Sequence, residues 1–506
     1  MPPAVQVVAD RIAGFTPRKQ PFMVRRNYLY EIRSAFTYPL AAALAEGSFT
    51  GVVASKYFAG GPLLIAVITA APMFGNILAL LWAQLAERRR KVPFINGLQL
   101  GVVAAVALVA ATWFIPVNPS TGHPYAIAGW LFALLIIVAR VLASGIVTLR
   151  SAVWRLNYPR ALRGQIISRI SGIYNTVLSL MVLAAAWSLD AAPQSYALIY
   201  LVVAVVSLAG IGQFSRVRVR GEARLLKRAG ALQPAAVEAD GVPSYLRATR
   251  PRLAEPLGAI RGTLRQMRRS LGLLKTDPMF REYQWWQFLL GASFMMMTPS
   301  LIYMVSSEMT DATTQYVLAV FVVQMIPMLT GVIFLQVWAP VFDRTPLFRF
   351  RVWLGIAAIT AHGLVLWGAL ADSLWIVAAG TFMVGVAMGG GQLAWQLGQN
   401  MFATPENVGT YMGLHVMLTG LRGMFAPFFG VFLYHTLSRL LPSAGVSDVP
   451  GGRWLFLGSV LLCCVGTLGY VGMARRYRGV TREEDDLPAR ALANAATIDA
   501  KPTSTA

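Results

Sequence analysis

Twelve apolar runs constrain the fold of this 506-residue chain more than any other feature. They lie near 31–55, 62–86, 94–117, 127–150, 165–189, 193–215, 284–305, 314–340, 350–371, 374–402, 408–437 and 454–474. A run of about 20 apolar residues forms a helix that crosses the ~30 Å hydrocarbon core of a membrane. Only 13% of the residues are charged, against about 25% in soluble domains. The sequence therefore predicts an all-α integral membrane protein with twelve transmembrane helices.

The basic residues predict how these spans are oriented. With the N-terminus inside, all but six of the 44 Lys and Arg residues fall in segments on the inner side. The outer loops carry only Lys56, Arg439 and Arg453. The net charge of +22 thus indicates a multi-pass protein of the cytoplasmic membrane, with both termini cytoplasmic. It does not indicate a nucleic-acid partner.

The polar segments predict the organisation of the chain. We expect a cytoplasmic arm (1–27), a six-helix bundle (28–215), a basic linker (216–281), a second six-helix bundle (282–476) and a disordered cytoplasmic tail (477–506). Within the linker, leucines and other apolar residues recur every three or four positions over 257–275, with arginines between them. This pattern is typical of a basic amphipathic helix on anionic lipids, although a plain tether between the bundles explains it as well.

A long-period repeat supports two related halves. The pattern Trp-Ala-x-x-x-acid-Arg occurs at 82–88 and again at 338–344, 256 residues later. A second pair of matching stretches begins at Trp154 and Trp395, around the ends of the fourth and the tenth span. The repeat predicts two bundles related by a pseudo-twofold axis along the membrane normal.

These stretches resemble the major facilitator superfamily of secondary transporters. The segment Ala83-Gln-Leu-Ala-Glu-Arg-Arg-Arg-Lys91 is similar to the family's loop between spans 2 and 3, with Glu in place of Asp and without its glycines. Arg140 and Gly145 approximate the family's span-4 motif, whereas its span-5 antiporter motif is absent. The resemblance implies that spans 1, 4, 7 and 10 line a central cavity, with spans 2, 5, 8 and 11 at its flanks.

Three charged side chains are predicted at similar depth within the spans. They are Glu46 in span 1, Arg140 in span 4 and Arg422 in span 11. A charge at mid-membrane is costly and is usually paired, hydrated or functional. We interpret Glu46 as the coupling carboxylate, with Arg140 or Arg422 as its partner or as an anion anchor. A static ion pair that fixes helix register is the alternative.

Polar side chains on several spans are candidates for a substrate cavity. In span 10, Gln392, Gln396 and Gln399 have the spacing of one helix face, with Trp395 beside them. His415, Thr419 and Arg422 form a similar stripe in span 11. Asn175 in span 5 and Gln324 in span 8 complete the set of candidates. Hydrogen bonding between helices is the alternative role for these side chains.

The two copies of the first repeat place charges at the inner ends of helices. We interpret Glu87 with Arg88, and Asp343 with Arg344, as a latch that closes the cytoplasmic side in one state. The same residues also serve as topology signals, which is the simpler interpretation.

The sequence favours a secondary active transporter that moves a small polar or anionic solute by alternating access, with protons as the coupling ion. It lacks the phosphate-binding motif of an ATP-driven pump, and it lacks the His-x-x-x-His or His-Glu-x-x-His motif of an intramembrane metalloenzyme. We therefore expect no enzymatic activity, no metal and no cofactor, and we expect a monomer. A transporter-like sensor or scaffold that binds a ligand without moving it is the alternative.

Overall fold

The computed structural model describes residues 21–87, 89–228, 268, 271–311, 313–403, 408–441 and 449–478. These residues form helices and connecting turns, with a single isolated β-bridge between Val117 and Pro124. Ten helical segments of the described chain are long and apolar enough to cross a membrane, and Pro62–Leu78 is a shorter apolar helix. The all-helical membrane fold predicted from the apolar runs is thus confirmed, and a twelve-span layout is consistent with it.

In the first half, the helices of spans 2, 5 and 6 begin and end within five residues of the predicted bounds. The helix of span 4 extends seven residues further than predicted, the α-helix of span 3 ends eight residues earlier, and span 1 is divided. The helices of this half are α1 (Phe22–Thr37), α2 (Pro39–Leu44), α3 (Gly47–Lys56), α4 (Pro62–Glu87), α5 (Lys91–Val109), α6 (Ala126–Asn157), α7 (Arg160–Ala191), α8 (Tyr196–Phe214) and the short α9 (Glu222–Arg228). The second half comprises α10 (Pro278–Tyr303), α11 (Tyr316–Val320), α12 (Ile326–Arg344), α13 (Leu347–Leu370), α14 (Leu374–Leu397), α15 (Val408–Leu440) and α16 (Leu455–Arg476). Single π-helical turns follow α10 and join α11 to α12.

The expectation of one continuous helix for span 1 is wrong, because three helices occupy that stretch. Pro39 opens α2, where its missing N–H removes a helical hydrogen bond. A distant side chain compensates, since Ser207 Oγ accepts from the N–H of Ala41 (3.0 Å) and donates to the carbonyl of Thr37 (3.3 Å). The Ser207 hydroxyl thus bridges the Ala41 N–H and the Thr37 carbonyl, which would bond directly in a regular helix. Because Ser207 belongs to α8, this helix stabilises the break.

A second interruption lies at Glu46, whose backbone is extended (ψ 133°) between α2 and α3. The Tyr200 hydroxyl donates to the carbonyl of Leu44 (2.9 Å), which has lost its helical partner. The carbonyl of Glu46 accepts from the N–H of Thr50 (2.9 Å) and opens α3. Because of the break, Glu46 is the residue that precedes the first turn of α3, and its side chain does not belong to the face of a regular helix.

The described residues pack as two compact units. The first comprises those within 1–268, 295–325 and 419–436, and the second those within 269–294, 326–418 and 437–506. Parts of α10, the whole of α11 and the middle of α15 thus belong to the unit that holds the first half of the chain. The predicted 28–215 and 282–476 bundles remain a prediction. The arm 1–20, linker residues 229–267 with most of the predicted amphipathic helix, and the tail after 478 lie outside the described residues.

Candidate functional site

Glu46 and Arg140 form an ion pair between the α2–α3 break and the middle of α6. Arg140 Nη1 donates to Glu46 Oε2 at 2.9 Å. The Glu46 side chain is 34% exposed and the Arg140 side chain is 21% exposed, so the pair is neither fully buried nor fully open. The Glu46 carboxylate is thus held by one arginine and remains partly accessible.

Two tyrosines lie near this ion pair. Tyr174 of α7 lies close enough to Glu46 and Arg140 to interact electrostatically with both. Tyr38, which is 3% exposed, interacts in the same way with Arg140 and Tyr174. The sequence reasoning did not select either tyrosine, because an isolated Tyr in an apolar run gives no periodic signal.

A second carboxylate, Glu31 in α1, was missed by the sequence reasoning and is fully buried. It accepts hydrogen bonds from Trp154 Nε1 (2.5 Å) and Tyr158 Oη (2.7 Å), and Arg150 Nη2 lies 3.4 Å away. These three donors are spaced four residues apart, which is the spacing of one helix face. That spacing was the available signal. With its oxygens satisfied and no exposure, Glu31 has the environment of a structural ion pair.

The remaining candidates of the first unit occupy different environments. Arg422 is 5% exposed and its Nε donates to Met295 Sδ (3.4 Å). Gln324 is 5% exposed within the π turn that joins α11 to α12, and neither amide atom has a hydrogen-bond partner among the described residues. Thr419 is buried, whereas Asn175 is exposed on α7. Among these four residues, Gln324 therefore has unused hydrogen-bonding capacity.

The predicted stripe of glutamines on span 10 does not lie along one regular helix. Gln392 and Gln396 are exposed on α14, but α14 ends at Leu397. Gln399 lies in the following 3-10 turn and is fully buried. The end of α14 therefore separates the two exposed glutamines from the buried one. Gln399 has no hydrogen-bond partner for its amide among the described residues.

His415 and Trp395 belong to a polar contact in the second unit. His415 is fully buried, and its Nδ1 lies 3.0 Å from Gln284 Oε1 of α10. The ring of Trp395 lies 5.3 Å from the imidazole ring. Gln284 was not selected from the sequence, although it lies in the first turns of a predicted span.

A group of contacts at the predicted outer side joins α3 and α7 to residues 307–317. We call it the Lys56 cluster: Ser55, Lys56, Asp190, Ser307, Thr310, Asp311, Tyr316 and Val317. Lys56 Nζ donates to Thr310 Oγ1 (3.1 Å) and to the carbonyl of Asp311, while the hydroxyls of Ser55 and Ser307 are 2.5 Å apart. The Asp190 carboxylate accepts the N–H groups of Tyr316 and of Val317 (3.0 Å).

The Lys56 cluster joins segments that are more than 100 residues apart through charged hydrogen bonds. Gln315 precedes α11 in the left-handed conformation (φ 59°) and supplies no side-chain cap, so Asp190 caps this helix from a distance. Burial lowers the pKa of Lys56, just beyond the predicted first span, to about 8, although Asp311 and Asp190 oppose that shift. Hydrogen bonds from Thr313 and Thr314 hold the pKa of Asp311 well below its usual value.

The predicted latch residues lie at helix ends. Glu87 ends α4, and Arg88 lies outside the described residues. Asp343 and Arg344 are exposed at the end of α12. The candidate latch thus has solvent-facing charges on α12.

Comparison with known proteins identifies the family of this chain and structures that share its fold. A profile described as Major Facilitator Superfamily matches residues 34–427. The inward open structure of the xylose transporter XylE from E. coli is similar, with a TM-score of 0.58, 12% identity and coverage of 91% of this chain and 98% of that one. No curated protein sequence matches the chain.

Two further structures share the fold. An auto inhibited POT family peptide transporter has a TM-score of 0.59 at 13% identity, with 90% of this chain and 98% of that chain covered. A mutant of the nucleoside transporter NupG has a TM-score of 0.57 at 11% identity, with 88% and 99% covered. At these identities the similarity shows the shared fold alone.

Proposed function

We infer that this chain, which belongs to the major facilitator superfamily, carries a small polar or anionic solute across the cytoplasmic membrane by alternating access, coupled to protons. The observation that carries the proposal is the partly exposed Glu46–Arg140 ion pair within an apolar, membrane-spanning helical protein. The arginine suits an anionic group of a solute, and the carboxylate suits a proton. When a proton neutralises Glu46, Arg140 is released to bind the solute or another partner.

The buried amide of Gln324 supports a polar solute. Unused donors and acceptors in an apolar interior are costly unless a ligand or water satisfies them. Gln392, Trp395, Gln396, Gln399, His415, Thr419 and Asn175 remain candidates for the cavity on the basis of the sequence. The solutes named for the similar structures, which are xylose, nucleosides and peptides, define a first panel of compounds to test.

Transport by purified protein in proteoliposomes tests this proposal. The panel is first screened for compounds that raise the thermal unfolding temperature, and each compound that does so is then supplied in radioactive form. We expect accumulation inside the vesicles when an inward proton gradient is imposed, and its loss when an uncoupler collapses the gradient. Binding without any flux, with or without a gradient, would support the alternative of a sensor or scaffold.

We also propose that Asp343 and Arg344, with Glu87 and Arg88, hold the cytoplasmic side shut in one state of the cycle. The test uses a protein whose single cysteine is at position 396, in place of Gln396, and a thiol reagent added from the cytoplasmic side. The double variant Asp343→Asn with Glu87→Gln is expected to increase the labelling of this cysteine. In this latch each carboxylate, which lies at the end of its own helix, meets the N-terminus of another helix. Such a contact contributes about 0.3–1 kcal/mol, so two of them correspond to a several-fold change. If the cysteine of the double variant is labelled at the same rate as that of the parent protein, Glu87 and Asp343 do not form a latch and serve only as topology signals.

A further inference from the structure

A groove with charged residues at its mouth lies within the second unit, at the end of α10 predicted to be cytoplasmic. Its volume is about 780 Å³, and its walls come from the residues before and along α10, from α15 and from the end of α16. It is lined by Leu274, Pro278, Arg281, Glu282, Gln284, Trp285, Phe288, Leu418, Arg476 and Tyr477. Neither the transport proposal nor the latch uses these side chains, apart from the contact between Gln284 and His415.

The charges of the groove are confined to its mouth. Arg281 lies in the first turn of α10, and Arg476 is the last residue of α16. Arg476 Nη1 pairs with Glu282 Oε2 at 2.9 Å, and the Tyr477 hydroxyl donates to the same oxygen (3.2 Å). The lining thus holds two arginines and one glutamate, and Arg281 Nη1 donates to the carbonyl of Leu274 (3.2 Å), so the mouth keeps a net positive charge.

The deeper walls of the groove are apolar. Trp285 and Phe288 follow Arg281 along α10 at distances of roughly 6 and 10 Å, from a rise of 1.5 Å per residue. Leu418 faces them from α15. Trp285 is 57% exposed, so its ring is accessible from the groove. The polarity therefore falls from the helix ends towards the middle of the spans, as it does across one leaflet of a membrane.

One polar group in the wall is unsatisfied. Gln284 is 4% exposed, and its Oε1 is used by His415, but its Nε2 has no hydrogen-bond partner among the described residues. Exchanging the two amide atoms would leave the oxygen unpaired instead, so either assignment keeps one free position. A buried amide donor in the wall of a groove that also holds two arginines suits a phosphate or ester oxygen.

From this arrangement we propose that the groove binds an anionic phospholipid of the surrounding membrane. The phosphate group lies between Arg281 and Arg476, Gln284 donates to an oxygen of the head group, and an acyl chain follows Trp285, Phe288 and Leu418. A water-soluble anion would use the mouth but not the apolar walls, and a zwitterionic lipid would gain less from the positive charge. This site is independent of the proposed transport activity.

Quenching of Trp285 fluorescence by brominated lipids tests the proposal. The full-length protein is reconstituted in phosphatidylcholine with a minor fraction of either brominated phosphatidylglycerol or brominated phosphatidylcholine. The signal of Trp285 is the difference between the parent protein and its Trp285→Phe variant. We expect stronger quenching by phosphatidylglycerol, and a loss of about five-fold in this preference for each arginine removed in Arg281→Gln and Arg476→Gln.

Arg475→Gln is the matched control, because Arg475 is the exposed neighbour of Arg476 on the same helix and does not line the groove. This variant is expected to keep the parent preference, while unfolding temperatures show that all variants are folded. Equal quenching by the two lipids would show ordinary lipid contact without selection and would overturn the proposal. A loss of preference in Arg475→Gln as large as that in Arg476→Gln would show an effect of general surface charge and would also overturn it. If neither lipid quenches Trp285, another part of the chain covers the groove, which also overturns it.

Discussion

Replacement of Glu46 by Gln is expected to abolish accumulation of solute against its gradient while exchange of solute between the two sides continues. Gln has nearly the size of Glu but cannot carry a proton or balance the charge of Arg140. The binding surface for the solute keeps its shape, so movement down a gradient is retained. The measurement is uptake by proteoliposomes, with an imposed proton gradient in one set and with counterflow at uniform pH in the other.

The exposure of the ion pair predicts that this variant remains folded. Glu46 and Arg140 keep 34% and 21% of their side-chain surface exposed, so water can solvate Arg140 once its partner has lost its charge. Exposed pairs contribute about 0–1 kcal/mol, and we expect only a small fall in unfolding temperature. A drop in activity with unchanged stability would therefore report on coupling and not on folding.

Glu31→Gln provides the matched control, because it makes the same chemical change in a buried carboxylate of the same predicted span. Glu31 has no exposure and binds Trp154 and Tyr158, with Arg150 at 3.4 Å and only 10% exposed. Removing one partner of such a buried pair costs about 3–5 kcal/mol. We thus expect a large loss of stability but proton-driven accumulation by the molecules that remain folded.

The two variants together distinguish coupling from structure. Accumulation by Glu46→Gln at the parent level, with the gradient present, would exclude Glu46 as the coupling residue. An unfolding temperature lowered equally in both variants would make Glu46–Arg140 a static ion pair, the alternative that the sequence left open. Loss of counterflow as well as of accumulation would place Glu46 in solute binding.

The apolar runs predicted the helices well because they are a local property of the sequence. The membrane requires about 20 apolar residues at each crossing, so the spans at 374–402 and 454–474 appear as α14 with a 3-10 turn and as α16. Charges inside those runs were equally visible, and Glu46 and Arg140 are brought together in the structure. Their chemical roles are a matter for the experiments above.

The features that the sequence did not predict depend on residues far apart in the chain. The break in span 1 requires Ser207 and Tyr200, which satisfy backbone groups that a regular helix would have paired. Glu31 was overlooked because it lies at the edge of the apolar run, where a charge is inexpensive. Asp190 directly follows the predicted fifth span, and only the fold shows that it caps the helix beginning at Tyr316.

A disulfide between cysteines placed at positions 55 and 307 is expected to stop transport, and its reduction to restore transport. The Ser55 and Ser307 hydroxyls are 2.5 Å apart in the Lys56 cluster, which is close enough for Ser55→Cys and Ser307→Cys to bond. Alternating access requires that these segments separate in one state, and a covalent link prevents it. The native Cys463 and Cys464 are first replaced by Ala, and uptake is compared before and after oxidation.

The rate of this cross-linking also measures how much Asp190 stabilises the Lys56 cluster. Asp190→Asn keeps one acceptor oxygen but loses the charge and one of the two bonds to the N–H groups of Tyr316 and Val317. A hydrogen bond to a charged group contributes about 1.5–3 kcal/mol, so cross-linking should slow by roughly 10-fold or more. Asp372→Asn is the control, since Asp372 pairs with Arg453 in the second unit at 2.7 Å and should leave the rate unchanged. Uptake by the cross-linked protein at the rate of the reduced protein would show that the Lys56 cluster stays closed throughout the cycle, and that the separation needed for transport occurs elsewhere.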